Sequence, residues 1–191
     1  MSKRIALLSA VAFGALALTA TVVAPVSAQE KTVMVGGAAM FPSKNIIQNA
    51  VNSKDHTTLV AAVKAAGLVE TLEGKGPFTV FAPTNAAFGK LPAGTVDNLV
   101  KPENKATLTK VLTYHVVAGD YNTTKLRSMI LAGNGTATLT TVEGGKLWLM
   151  MNGSDNIIIK DAKGDIADIT ISDVNQSNGV IQVVDRVLLP G

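Results

Sequence analysis

The segment YHVVAG, residues 114 to 119, holds the side chains that could most readily do chemistry. It contains Tyr114 and His115, in a chain of 191 residues that has two tyrosines and two histidines. A histidine beside a phenol could act as a general base and acid, which makes a hydrolase one hypothesis. However, His115 ends a predicted helix and continues an apolar face, spaced i, i+3, i+4 and i+7, that begins with Leu108, Val111 and Leu112. We therefore predict a buried structural histidine that hydrogen-bonds the last carbonyls of this helix.

Other patterns for nucleophiles, metals and cofactors are weak. The sequence has no cysteine and no serine in a G-x-S-x-G elbow, and its two histidines lack the spacing of zinc ligands. We expect His56 to be exposed in the first turn of a helix. The acidic run DAKGDIADITISD lacks EF-hand spacing, so surface carboxylates are the main interpretation and weak calcium binding is the alternative; its carboxylates are Asp161, Asp165, Asp168 and Asp173. The sequence predicts no enzyme, no cofactor and no metal site.

One carboxylate stands among aliphatic side chains in the last predicted strand. In NGVIQVVDRVLLP, residues 178 to 190, both faces are mostly apolar, which indicates a central strand. Asp185 would then need hydrogen-bond donors, because an unpaired buried carboxylate is costly. We expect backbone N–H groups or a hydroxyl near Thr84 to supply them, which is a structural role.

The elements that position these residues are helices first and strands last. Helical patterns begin after the predicted N-cap Pro42-Ser43, continue through DHTTLVAAVKAAGL to Gly67, and return after Lys101. One buried strand, GPFTVFAP, interrupts them. From Thr136 onward, β-rich runs alternate with turns that contain glycine. This order predicts an α+β fold.

The first 28 residues form a predicted signal peptide. Lys3 and Arg4 precede an apolar stretch, and Val26-Ser27-Ala28 fits a cleavage site before Gln29. An uncleaved membrane anchor is the alternative. We expect an exported protein, periplasmic or secreted, with no stable membrane insertion after cleavage. Its charge would fall from +3 to 15 minus 14, or +1, and no basic cluster points to nucleic acid.

Three stretches in this order resemble the fasciclin (FAS1) domain family: TVFAPTNAAF (79–88), YHVVAG and NGVIQVVDRVLLP. Thr84 and Asn85 lie in the first, where Thr84 can cap a helix, and Asp185 lies in the third. The resemblance implies a single domain over residues 45–191, after a short leader over residues 29–44. It also implies a seven-stranded antiparallel β wedge packed against a helical layer. One departure is Gln182, where family members often carry histidine.

The resemblance also implies adhesion. In related proteins, the positions that match Asp173-Val174 and Tyr114-His115 are linked with partner binding. We therefore predict that Asp173 and Val174 are contact residues on the loop before the last strand. Tyr114 and His115 would support that surface from beneath. Asp173→Ala should then weaken binding without lowering the melting temperature. We expect a monomer whose partner is a protein or polysaccharide of a cell surface or matrix, with a host-facing role such as symbiosis among the hypotheses.

A periplasmic binder of a small lipid, sugar or peptide is the alternative function. Its support is Trp148, which lies among Leu147, Leu149, Met150 and Met151 in a predicted strand. An aromatic and methionine stripe of this kind is more often part of a core than of a ligand site.

Overall fold

The computed structural model describes residues 30–191. The predicted signal peptide lies outside the described residues. Within residues 30–191, no helix is both long and apolar enough to cross a membrane.

A β-hairpin occupies the segment predicted as a leader. Its strands are β1, Val33–Val35, and β2, Ala38–Met40. Gly36 and Gly37 both have positive φ, as a tight two-residue hairpin turn requires. Val35 and Met40 are buried in the core, so the folded unit begins before residue 45.

Within residues 30–191, seven short helices pack on the sheet. The first begins at an N-cap made by Asn45, whose side chain accepts from the Gln48 N–H, so the predicted cap at Ser43 is wrong. The predicted glycine stop at Gly67 is confirmed, because this residue has φ of 73°. The helices are α1 Ile46–Ala50, α2 Thr57–Ala66, α3 Val69–Glu73, α4 Asn85–Gly89, α5 Thr95–Leu99, α6 Lys105–Tyr114 and α7 Thr123–Ala132.

A seven-stranded sheet supplies the other layer, which confirms the α+β class. Its strands are β3 Phe78–Pro83, β4 Val116–Ala118, β5 Thr136–Thr140, β6 Lys146–Asn152, β7 Asn156–Lys160, β8 Ile166–Gln176 and β9 Gly179–Val184.

The strand order is β4-β3-β9-β8-β7-β6-β5. All neighbours are antiparallel except β3 and β9, which pair in parallel. These two strands are far apart in sequence, so no hairpin turn forces them to run in opposite directions. The predicted central strand is therefore confirmed as β9, but it ends at Val184 instead of continuing to Pro190.

The apolar interior consists of two clusters. The helix-side core lies between the helices α1 to α6 and the strands β3 and β9, and includes Leu59, Val63, Leu112, Val174 and Ile181. The sheet-side core lies between α7 and the strands from β5 to β8, and includes Tyr114, Leu126, Leu147, Leu149 and Ile159. Trp148 does not belong to either buried cluster, while its neighbours Leu147 and Leu149 are fully buried.

Candidate functional site

Tyr114 connects the end of α6 to the meander of strands. Its side chain is fully buried, and its hydroxyl donates to the Lys146 carbonyl at 2.6 Å and accepts from the Ala162 N–H at 3.0 Å. Burial raises the pKa of this phenol above its ordinary value. The hydroxyl is thus held as a neutral structural cross-link.

His115 is also committed to backbone groups. Its Nδ1 lies 2.8 Å from the Val111 carbonyl, which can only accept, so Nδ1 carries the proton. Its Nε2 accepts from the Leu188 N–H at 2.9 Å. Burial lowers the pKa of His115 to about 4, against the opposing effect of the Val111 carbonyl. The predicted structural histidine is confirmed, and neither nitrogen is available to act as a base toward a substrate.

Asp173 lies within β8, at an irregularity of the β8–β9 ladder, and not on a loop as predicted. Its φ is 55°, a left-handed conformation that aspartate tolerates better than most residues. One carboxylate oxygen accepts from the Thr123 N–H at 2.8 Å and from Gln182 Nε2 at 2.9 Å. The other accepts from the Thr123 hydroxyl. This carboxylate therefore holds the N-terminus of α7, where negative charge is favourable.

Gln182 is the centre of this network, which we call the Asp173 clamp: Asp173, Gln182, Thr123 and Tyr121. Gln182 is fully buried, accepts from the Asp173 N–H at 3.0 Å and donates to the Tyr121 carbonyl at 3.2 Å. The position where relatives often carry histidine therefore has a structural use here. The sequence motifs do not include Thr123 or Tyr121, because Thr123 bonds Asp173 from 50 positions away and Tyr121 bonds Gln182 from 61 positions away.

Val174 cannot be a surface contact, because its side chain is 1% exposed. It borders an apolar cavity of about 70 Å³ in the helix-side core, together with His115 and His56. The structure brings Val174 and His115 together there. The Asp173 carboxylate instead bonds the start of α7, and the Tyr114 hydroxyl bonds a carbonyl of β6, so the four predicted residues do not form one surface.

His56 contradicts its predicted exposure, because it is 3% exposed. It belongs to a 3₁₀ turn, Lys54–His56, that turns the ring inward before α2 begins. Nδ1 lies 2.9 Å from the Ser53 hydroxyl, and Nε2 has no hydrogen-bond partner within residues 30–191. Burial lowers the pKa of this ring, while the Ala82 carbonyl and Asp55 oppose the shift.

Asp161 is likewise buried, at 1% exposure, and not a surface carboxylate. One of its oxygens accepts from the Lys163 and Asp165 N–H groups at 2.9 Å, and the other accepts from the Leu189 N–H at 2.8 Å. These bonds hold the C-terminal segment against the β7–β8 turn. Within residues 30–191, no group of three or more histidine or acidic side chains could hold a metal ion.

The motif residues Thr84 and Asn85 organise the start of α4. The Thr84 hydroxyl accepts from the Ala87 N–H at 3.2 Å, which confirms the predicted cap. The Asn85 side chain accepts from the Thr58 N–H at 2.9 Å and donates to the Lys54 carbonyl at 2.8 Å. Asn85 therefore ties α4 to the start of α2.

Asp185 follows β9 and is one-third exposed. It accepts from the Asp168 N–H at 2.8 Å, as predicted, and from Lys90 Nζ at 2.7 Å. Lys90 thus takes the place of the expected hydroxyl near Thr84, because the strand ends at Val184 and the carboxylate reaches the surface. Burial raises the pKa of Asp185, but these hydrogen bonds and the charges of Lys90 and Arg186 outweigh it, and the pKa lies below its ordinary value.

A family model and two related proteins match most of this chain. The family model of the fasciclin domain matches residues 54–190. Protein sll1483 of Synechocystis sp. is 42% identical over 191 residues, which cover 99% of this chain and 97% of that protein. The cell surface glycolipoprotein MPB83 of Mycobacterium bovis is 34% identical over 161 residues, 82% of this chain and 64% of MPB83.

A solved structure shares the fold. It is a FAS1 domain pair from the insect cell adhesion molecule fasciclin I, which matches with a TM-score of 0.56 at 20% identity. The match covers 69% of this chain and 43% of the insect chain. At this identity the likeness establishes the architecture alone.

Proposed function

Since the chain belongs to the fasciclin domain family, we propose that it is an exported surface-interaction module that binds a cell-surface or matrix partner without catalysis. The observation that carries the proposal is the family match over residues 54–190. A relative that is 34% identical is named a cell surface glycolipoprotein, which agrees with a role at a surface. The predicted signal peptide supplies the export that such a role needs.

The candidate reactive side chains are already hydrogen-bonded inside the protein, which favours a binding function over catalysis. Tyr114 and His115 use their polar atoms on backbone partners, so neither offers a nucleophile or a base to a substrate. The Asp173 carboxylate is similarly occupied. Recognition would then depend on polar side chains at the surface that have no internal partner.

The apolar interior gives little support to the alternative, a periplasmic binder of small ligands. The apolar cavity beside Val174 has a volume of about 70 Å³. Pockets that bind small molecules usually have volumes of roughly 300 to 1,000 Å³. A lipid or a sugar would not fit in this cavity without a rearrangement of the helix-side core.

Direct binding tests the proposed function. The full chain is expressed, purified after export, labelled with a fluorophore and titrated onto producing cells, isolated envelope polysaccharide and matrix protein. We expect saturable binding to at least one of these surfaces, and no saturable binding by a sample unfolded by heat. A folded protein that binds none of them saturably would overturn the proposal.

A further inference from the structure

A polar cleft lies at one end of β8 and β9, beside the turn that contains Asn178 and Gly179. It has a volume of about 600 Å³, which lies within the range of roughly 300 to 1,000 Å³ usual for ligand sites. Six polar side chains define the polar cleft: Gln48, Glu73, Lys75, Asp120, Asn175 and Ser177. All six are exposed.

The walls of the polar cleft are held rigidly by one asparagine. Asn178 accepts from the Ile46 N–H at 3.0 Å, and its side-chain amide donates to the carbonyls of Leu72 at 2.8 Å and Gly74 at 3.1 Å. It thereby joins the N-terminus of α1, the C-terminus of α3 and the β8–β9 turn. A site formed before its ligand arrives loses less conformational entropy on binding.

Backbone packing adds to this rigidity. A Cβ atom on Gly76 would lie 2.0 Å from the Asn178 carbonyl oxygen, and one on Gly179 would lie 2.0 Å from the Phe78 carbonyl oxygen. The chain is therefore packed too tightly at these two positions for any larger residue.

The side chains that face the polar cleft have few internal partners. Within residues 30–191, the side chains of Glu73, Lys75, Asp120, Asn175 and Ser177 form no hydrogen bond or ion pair. The sixth, Gln48, uses its carbonyl oxygen on the Asn45 N–H and keeps its amide N–H groups. Amide and hydroxyl groups of this kind both donate and accept hydrogen bonds.

We propose that the polar cleft binds a neutral oligosaccharide, and this inference rests on the proposed surface-binding function. Sugar hydroxyls both donate and accept, so they match the amide and hydroxyl groups of Gln48, Asn175 and Ser177. The exposed ring of Pro77, which also lines the cleft, offers an apolar face to sugar C–H groups.

Other ligand classes fit the polar cleft less well. Its two carboxylates and one ammonium group give it a net charge of −1, which disfavours phosphates, nucleic acids and acidic sugars. A peptide bound by strand addition needs an unpaired strand edge. The neighbouring β9 is paired on both sides, with β3 and β8.

The experiment is a titration followed by NMR amide shifts, with maltotriose, cellotriose and mannotriose as neutral probes and trigalacturonate as the acidic probe. We expect at least one neutral trisaccharide to saturate, with its shifts centred on Lys75, Asn175 and Ser177. Trigalacturonate should bind about tenfold more weakly, because of the negative cleft.

A double variant and a matched control locate the site. The variant with Asn175→Ala and Ser177→Ala should weaken binding about tenfold or more, since two hydrogen bonds are lost. Thr138→Ala, an exposed substitution on the far edge strand β5, should change the affinity less than about twofold. The inference is overturned if no neutral probe saturates, if the double variant binds as the unchanged protein does, or if trigalacturonate binds more tightly.

The surface titration separates this inference from the proposed function. Saturable binding to cells that the neutral probes do not compete with would reject the polar cleft as the site and keep the surface-binding function. Absence of both cell binding and sugar binding would reject both.

Discussion

Asp173 and Asn175 lie two residues apart on the same strand, yet their side chains serve the protein differently. The Asp173 carboxylate accepts three hydrogen bonds from Thr123 and Gln182, whereas the Asn175 side chain is exposed and faces the polar cleft. Motif resemblance pointed to the first of these residues. A polar residue near a surface is therefore a candidate for binding only if its side chain has hydrogen-bonding groups that no internal partner uses.

The largest expected loss of stability comes from His115→Ala, because both ring nitrogens of this residue are bonded to buried backbone groups. It removes both ring bonds and leaves the Leu188 N–H and the Val111 carbonyl buried without partners. We expect a loss of about 3 to 5 kcal/mol in the free energy of unfolding. Urea denaturation measures it.

His56→Ala is the matched control for that loss. It removes one bonded nitrogen instead of two, so its cost should be clearly smaller. Equal losses in the two variants would contradict the role assigned to the His115 bonds.

Acid should weaken the same interior. The pKa of His115 is near 4 in the folded protein and about 6.5 in the unfolded chain, so the unfolded chain binds the proton first. The stabilisation is therefore complete above pH 6.5 and is lost as the pH falls toward 4, by about 3 kcal/mol. The lowered pKa of His56 acts in the same direction.

Unfolding curves between pH 7 and pH 4.5 measure this loss, and an NMR titration of the His115 ring assigns it. A folded-state His115 pKa above 6, or a flat stability profile over this range, would contradict the prediction.

Asp173→Ala should cost about 2 to 3 kcal/mol, because it leaves the Thr123 N–H and the Gln182 amide without their acceptor. The earlier expectation of an unchanged melting temperature is therefore replaced by a clear decrease. Asp173→Asn keeps one acceptor oxygen and tolerates the positive φ, so its cost should be smaller. Thermal unfolding compares the two variants. If the melting temperature of Asp173→Ala lies within a degree of that of the unchanged protein, the Asp173 clamp does not stabilise the fold.

The smallest stability effect is expected for Lys90→Ala. The Lys90–Asp185 pair is partly exposed, and pairs of this kind contribute roughly 0 to 1 kcal/mol. Added salt should reduce even this contribution. If Lys90→Ala lowers the free energy of unfolding more than Asp173→Ala does, this exposed ion pair stabilises the protein more than the hydrogen bonds of Asp173, which contradicts the prediction.

Local patterns predicted much of the fold. Glycines in the predicted turns mark the strand ends, and Gly144, Gly153, Gly164 and Gly179 all have positive φ in the structure. The apolar spacing before His115 predicted its burial. Both signals act within a few residues of the feature that they predict, so a single sequence contains them.

Features that depend on distant residues escaped prediction. The burial of His56 is set by a 3₁₀ turn that packs against the helix-side core, and no periodic pattern in the sequence predicts this turn. Thr123 approaches Asp173 from 50 positions away, and β3 pairs with β9 across about 100 residues. The polar cleft combines four segments of the chain, and none of its six defining side chains belongs to a motif.

Different residues shape the polar cleft and face its interior, and this separation has an evolutionary consequence. Asn178 maintains the shape of the polar cleft, while the side chains of Asn175 and Ser177 have no hydrogen-bond partner within residues 30–191. Mutations at these two positions can change what the surface recognises without first lowering stability. A lineage that keeps Asn178 can therefore diversify its specificity through single neutral steps, on a scaffold that stays folded throughout.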